Sequence, residues 1–136
     1  MNQILNHPFW GTHALLIARL LMGGLFLLAG LQKLQAIDGT AGYIASMGLP
    51  MPLIIAWAVT ALEITAGIAI IVGKYFKEAA LVLAVFVVLA NFIFHSPSSW
   101  GENPMQQVSF MKNLAIIAGL LFMTAHGSGN TWKLNV

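Results

Sequence analysis

Four long apolar runs, parted by polar segments, organise the chain. The first extends from Ala14 to Leu34 and is interrupted by Arg19 and, near its end, by Gln32 and Lys33. The second, Leu53 to Val72, is interrupted only by Glu63. The third, Ala79 to Phe94, has Asn91 as its polar residue. The fourth is clean from Leu114 to Ala125 and reaches spanning length when Met105 to Asn113 forms its first half. A helix needs about 20 residues to cross the hydrocarbon core. The runs are continuous rather than alternating, and about twice as long as a barrel strand, which disfavours a membrane β-barrel. The pattern therefore predicts an all-α integral membrane four-helix bundle, read as one membrane domain over residues 1–136. Its helices are expected at about 14–34, 53–72, 78–95 and 105–125.

The connections differ in character. Residues 73–78 form a tight basic turn. Residues 35–52 are longer and partly apolar. There, Asp38 is expected to cap a short interfacial helix over residues 40–47, with Gly48 stopping it and Pro50 and Pro52 preventing its resumption. Residues 95–104 read as a polar loop with Trp100 at the interface. Residues 1–13 hold no Lys or Arg, and the first apolar run is too long for a signal-peptide core, so it is expected as a retained helix.

Composition narrows the class further. Of 136 residues, 59% are hydrophobic and 7% charged, with six Lys or Arg against four Asp or Glu. A soluble domain carries about 25% charged residues, so neither a soluble enzyme nor a disordered chain fits. Cysteine is absent, which excludes disulfides, thiol relays and Cys-ligated clusters. No basic face exists to hold phosphates, so nucleic acid is not a partner and the lipid bilayer is. Arg19, Lys74, Lys77 and Lys133 fall on one side and Lys33 on the other, with Lys112 inside the fourth helix. The positive-inside rule then favours both termini in the cytoplasm.

A charge at mid-membrane costs roughly 2.5–3.5 kcal/mol even on a lenient scale. Counting depth at ~1.5 Å per residue from the cytoplasmic face puts Glu63 near ~16 Å, Asn91 near ~20 Å and Lys112 near ~21 Å. The same count puts Arg19 near ~8 Å and Lys33 near ~28 Å. Glu63, Asn91 and Lys112 are thus expected in one buried layer. Lys33 is free to snorkel outward, and Arg19 lies below, able to snorkel or to reach towards Glu63. Arg19, Gly23, Phe26, Gly30 and Lys33 share one helix face, and glycines on such a face permit close helix approach. These polar groups read equally as an ion pair that sets helix register or as a ligand-binding site. His95, at the outer end of its helix, can reach the mouth of a cavity containing Asn91. No metal site is expected. Haem is disfavoured, since only His13 and His126 could flank one and both read as interfacial.

The residues also resemble those of a known family. The segments Ala18 to Gly30 with Lys33-Leu34, Gly42 to Pro50 with Pro52, Ala61 to Gly67 around Glu63, Gly73, and Phe110 to Ala115 with Gly119 are similar in order and spacing to DoxX-like membrane proteins. The resemblance covers about residues 15–125. It implies a four-helix protein of the bacterial inner membrane, related to small subunits associated with quinone-linked oxidoreductases. The motif positions it carries over are Arg19, Lys33, Glu63, Lys112 and Asn113, and it carries over no cofactor motif.

Three functions compete for these residues. In the first, a quinone lies against Lys112, Asn91 or His95, Glu63 relays protons, and a redox partner subunit supplies electrons. In the second, a homodimeric transporter exchanges protons for cations at Glu63. In the third, the charges serve only packing or assembly. The first is the expectation carried forward.

Overall fold

The computed structural model describes residues 2–129. Lys133, assigned above to the cytoplasmic side, lies outside the described residues. Among those described there are six α-helices, a five-residue π-turn and a short 3-10 turn. α1 is a single turn, Asn2–Leu5. The π-turn Trp10–Ala14 runs directly into α2, Leu15–Gln35. α3 spans Ile37–Ser46, α4 Pro52–Val72, α5 Phe76–Phe94 and α6 Pro104–His126. The four long helices are each long and apolar enough to cross a membrane.

Local chemistry explains the breaks. Ala36 alone leaves helical geometry between α2 and α3, at φ −135° and ψ 50°. α3 ends where Gly48 takes φ +79°, a left-handed conformation that glycine adopts without cost. Pro52 occupies the first turn of α4, where its missing N–H loses nothing. Gly73, at φ +78°, closes α4 by donating its N–H to the Ala69 carbonyl. Asn103 caps α6, its side chain accepting from the Met105 N–H.

α3 departs from its expected form. It starts at Ile37 rather than at residue 40, so Asp38 lies inside the first turn and makes no capping bond. A carboxylate there still complements the positive helix N-terminus. Ala41 and Ile44 of α3 are buried against Ala56 of α4.

Packing proceeds by pairs. α2 lies antiparallel to α4 in the most extensive contact, and α5 pairs with α6. Ile70 of α4, Ala80 and Leu83 of α5 and Leu120 of α6 are fully buried in the shared core. Leu21, Leu28, Ile54, Leu89 and Phe122 are exposed around the outside, a surface suited to acyl chains and not to water.

The α2–α4 contact is backbone against backbone. A Cβ on Gly67 would stand 2.8 Å from the Leu27 nitrogen and 2.9 Å from the Gly23 carbonyl oxygen. One on Gly23 would stand 2.7 Å from the Gly67 carbonyl oxygen, and one on Gly30 would meet Ile64 and the Glu63 Cβ. Without a water-driven hydrophobic effect, such close approach is a principal source of helix association in lipid. Gly24, with open space where its Cβ would be, supplies a matched control.

Gly67→Ala is expected to destabilise the protein in detergent by about 1–3 kcal/mol, since backbone cannot swing aside. Gly24→Ala should be neutral or gain up to about 1 kcal/mol from helix propensity. Thermal unfolding of the two variants checks this; equal melting temperatures would refute the close-contact reading.

Candidate functional site

Arg19, Asn91 and Glu63 stand in three separate clusters. At the end of the bundle where α4 finishes, Arg19 is 1% exposed. Its guanidinium donates to the Ile71 carbonyl at 2.7 Å and the Ile70 carbonyl at 3.4 Å, and reaches the Ser128 carbonyl at 3.5 Å. The last carbonyls of a helix lack intrahelical partners and carry partial negative charge. Arg19 satisfies two of them on α4 with a full positive charge. It does not turn towards Glu63, which lies seven residues back along α4, or ~10 Å at the helical rise.

The second cluster joins α5 to α6. Asn91 is fully buried. Its amide nitrogen donates to the Phe110 carbonyl at 3.3 Å, and its oxygen accepts from the Asn113 amide at 3.1 Å. Asn91 is thereby committed to a helix–helix link, and Asn113 is the member of the pair that faces the neighbouring cavity.

The third cluster is the ion pair. Glu63 is 4% exposed, and both its oxygens accept from the Lys33 Nζ, at 3.0 and 3.2 Å. The expected partner was Lys112, with Lys33 snorkelling away. The register explains the difference. Gly30 packs directly against Glu63 and Ile64, so Lys33 stands only one helical turn beyond its partner. Three residues of rise, ~4.5 Å, is a gap that a lysine's four-carbon stem bridges. α2 and α4 are offset in height rather than level, so Lys33 and Glu63 lie closer than residue counts along each helix imply. The shared face of Arg19, Gly23, Gly30 and Lys33 was the signal that could have found the pair.

Around this pair lies a cavity of about 590 Å³ between α2, α4, α5 and α6, with α3 contributing to its wall. Lys33, Glu63, His95, Lys112 and Asn113 line its polar part. Phe26, Val59, Phe86 and Ile116 line its apolar part. Lys112 makes no hydrogen bond or ion pair among the described residues, in contrast to Lys33, Glu63, His95 and Asn113 beside it in the cavity wall. His95 bonds through Nδ1 to the Gln106 side-chain oxygen, and its carbonyl accepts from the Trp100 indole at 3.0 Å. These two bonds tie the 95–104 loop down beside the cavity. Thr40 and Tyr43 of α3 also line it, with the Tyr43 ring stacked on Phe94. Neither was singled out from sequence, where residues 40–47 read as a surface segment. Their apolar neighbours Ala41 and Ile44, spaced by three, were the available signal. His13 and His126 are engaged in separate ring contacts, with Phe9 and Phe122.

The site residues expected from sequence thus divide. Glu63, Lys112, Asn113 and His95 share one cavity, Asn91 stands behind Asn113, and Arg19 stands apart. Chemically, the cavity offers an apolar slot ending in a small group of hydrogen-bond donors and one carboxylate. Its size falls within the roughly 300–1,000 Å³ usual for small-molecule sites.

Comparison with known proteins locates the chain among relatives. The DoxX family profile matches residues 14–96. The inner membrane protein YqjF of Escherichia coli (strain K12) is 39% identical over 117 residues, covering 84% of each chain. The inner membrane protein YphA of the same organism is 33% identical over 119 residues, covering 85% of this chain and 84% of its own. No solved structure matches the chain. The profile match takes in Arg19, Lys33, Glu63, Asn91 and His95, whereas Lys112 and Asn113 lie beyond it.

Removing one side of the ion pair should be worse than removing both. Lys33→Met leaves a buried carboxylate without its cation and should cost up to about 3 kcal/mol, the low end for broken buried pairs because a third of the Lys33 side chain is exposed. Lys33→Met combined with Glu63→Leu should recover most of that loss. Unfolding of the single and double variants in detergent decides it, and simply additive losses would contradict the pairing.

Proposed function

The chain belongs to the DoxX family and is a multi-pass inner-membrane protein, and on that premise we propose that it is an accessory subunit of a redox system that binds a quinone in the cavity beside Glu63. One observation carries the reading: a largely apolar slot of about 590 Å³ ends at a carboxylate, an ammonium and a histidine. A quinone has the same division, an apolar tail and a ring with two carbonyl oxygens that need donors. Lys112 and His95 are the donors available to those oxygens, and Asn91 holds Asn113 in place beside them. Reduction of a quinone to a quinol consumes two electrons and two protons. Glu63, hydrogen-bonded to Lys33, provides the proton relay, and a partner subunit provides the electrons.

A second reading has its own support. The Lys33–Glu63 pair, the Arg19 cap and the Asn91–Asn113 link each bind one helix to another, which is what a purely structural or assembly role requires. A cation-exchanging transporter gains less, because its carboxylate would have to leave Lys33 for each cation.

For topology, Arg19 is buried against carbonyls and Lys33 is neutralised by Glu63, so neither is a free positional charge. Lys74 and Lys77 remain at the turn between α4 and α5, and these support cytoplasmic termini.

Protein purified in mild detergent should carry extractable quinone at near-stoichiometric amounts, and Glu63→Gln should lower it severalfold without lowering the melting temperature to the same degree. Protein that neither carries quinone nor takes up added decylubiquinone would leave the structural reading in its place. In cells, a C-terminal green fluorescent protein fusion should fluoresce and a C-terminal alkaline phosphatase fusion should be inactive. The opposite pair of results would invert the topology.

A further inference from the structure

The charges lining the cavity do not cancel. Lys33 and Glu63 neutralise each other through two hydrogen bonds. Lys112 is left over. The chain's remaining acidic side chains, Asp38, Glu78 and Glu102, are not part of the cavity wall. The occupant of this space therefore meets one ammonium without a counter-charge, at the edge of an apolar slot.

The ammonium stands at the polar end of that slot. Ile116 follows Lys112 by one turn along α6, and Phe26 precedes Lys33 by two turns along α2, both on the apolar wall. Apolar surface thus continues for roughly 5–10 Å away from the charged groups. Lys112 is itself exposed at the rim of the slot, and beside apolar walls its charge attracts an opposite charge more strongly than it would in bulk water. A neutral headgroup would leave Lys112 with hydrogen bonds alone, and a cationic one would be repelled. Asn113, held by Asn91, adds a neutral polar group close by without adding charge.

We propose that the cavity selects amphiphiles with one apolar tail and a single negative charge, and that Lys112 is the residue that sets this preference. The inference shares the cavity of the quinone reading but requires no redox chemistry. Two sources supply such a molecule: a free fatty acid, or a quinone bearing an acidic ring hydroxyl.

Binding is measured by isothermal titration calorimetry on the full chain in a non-ionic detergent. The probes are laurate, 2-hydroxy-3-alkyl-1,4-naphthoquinone, dodecanol, dodecyltrimethylammonium and neutral decylubiquinone. At pH 8, laurate or the hydroxynaphthoquinone should bind at least tenfold tighter than dodecanol, and dodecyltrimethylammonium should bind weakest. Whichever acid binds tighter identifies the source. Lys112→Met should abolish the preference, Lys112→Arg should keep it, and Lys74→Met, outside the cavity, should leave it unchanged. Equal binding of laurate, the hydroxynaphthoquinone and dodecanol to the natural protein would overturn the proposal, as would full acid preference in Lys112→Met. Failure of decylubiquinone to bind while an acid binds would remove the neutral-quinone reading and leave this one intact. Decylubiquinone binding with no acid preference would do the reverse.

Discussion

The close approach of α2 to α4 is the constraint from which the other features follow. Gly23, Gly30 and Gly67 let the two backbones touch, and antiparallel contact at that range fixes a register to within a residue. With Gly67 seated against Leu27 and Gly23, one end of α2 is brought to the carbonyls that end α4, where Arg19 binds them. The other end is brought alongside Glu63, where Lys33 binds it. Neither polar interaction could set the register alone, because long flexible side chains tolerate several alignments. The glycines admit only one, and the two basic residues then close it at both ends.

Satisfying polar groups without water accounts for most of the remaining polar residues. An unpaired donor or acceptor in hydrocarbon costs several kcal/mol. Arg19 meets this by serving helix-end carbonyls, Asn91 by bonding across to α6, and Glu63 by pairing within the bundle. Thr60, Thr65 and Thr124 bond back to carbonyls of their own helices. Each buried polar group thus has a structural occupation, whether or not it has another. Lys112, which is exposed rather than buried, has no such occupation, and it lines the cavity.

The cavity itself results from how the pairs are joined. α2 with α4 and α5 with α6 form two intimate couples, and they meet through α4 and α5 in an apolar core that includes Ile70, Ala80, Leu83 and Ala84. Beyond that core, beside Glu63, the couples do not fill the space between them. α3 and the loop held by His95 and Trp100 border what is left. A slot with apolar depth and a charged rim is the consequence, and it is the part of the molecule best suited to an amphipathic guest.

Much of this was legible in residue order. Four apolar runs, each about the thickness of a bilayer, specify four spanning helices because no other local structure satisfies a backbone in lipid. Gly48, Pro52, Gly73 and Asn103 mark helix ends through local chemistry alone. The glycine face of α2 and the isolation of Glu63 in an apolar run likewise announced a buried carboxylate near a close helix contact. The choice of partner was not legible. Depth counted along separate helices pointed to Lys112, whereas packing selected Lys33, since vertical offset between helices depends on which side chains interlock. The separate duties of Arg19 and Asn91, the inclusion of Tyr43 and Thr40 in the cavity wall, and the solitary state of Lys112 also arise only when the helices meet. Each depends on distances between segments remote in sequence, which local periodicity does not encode.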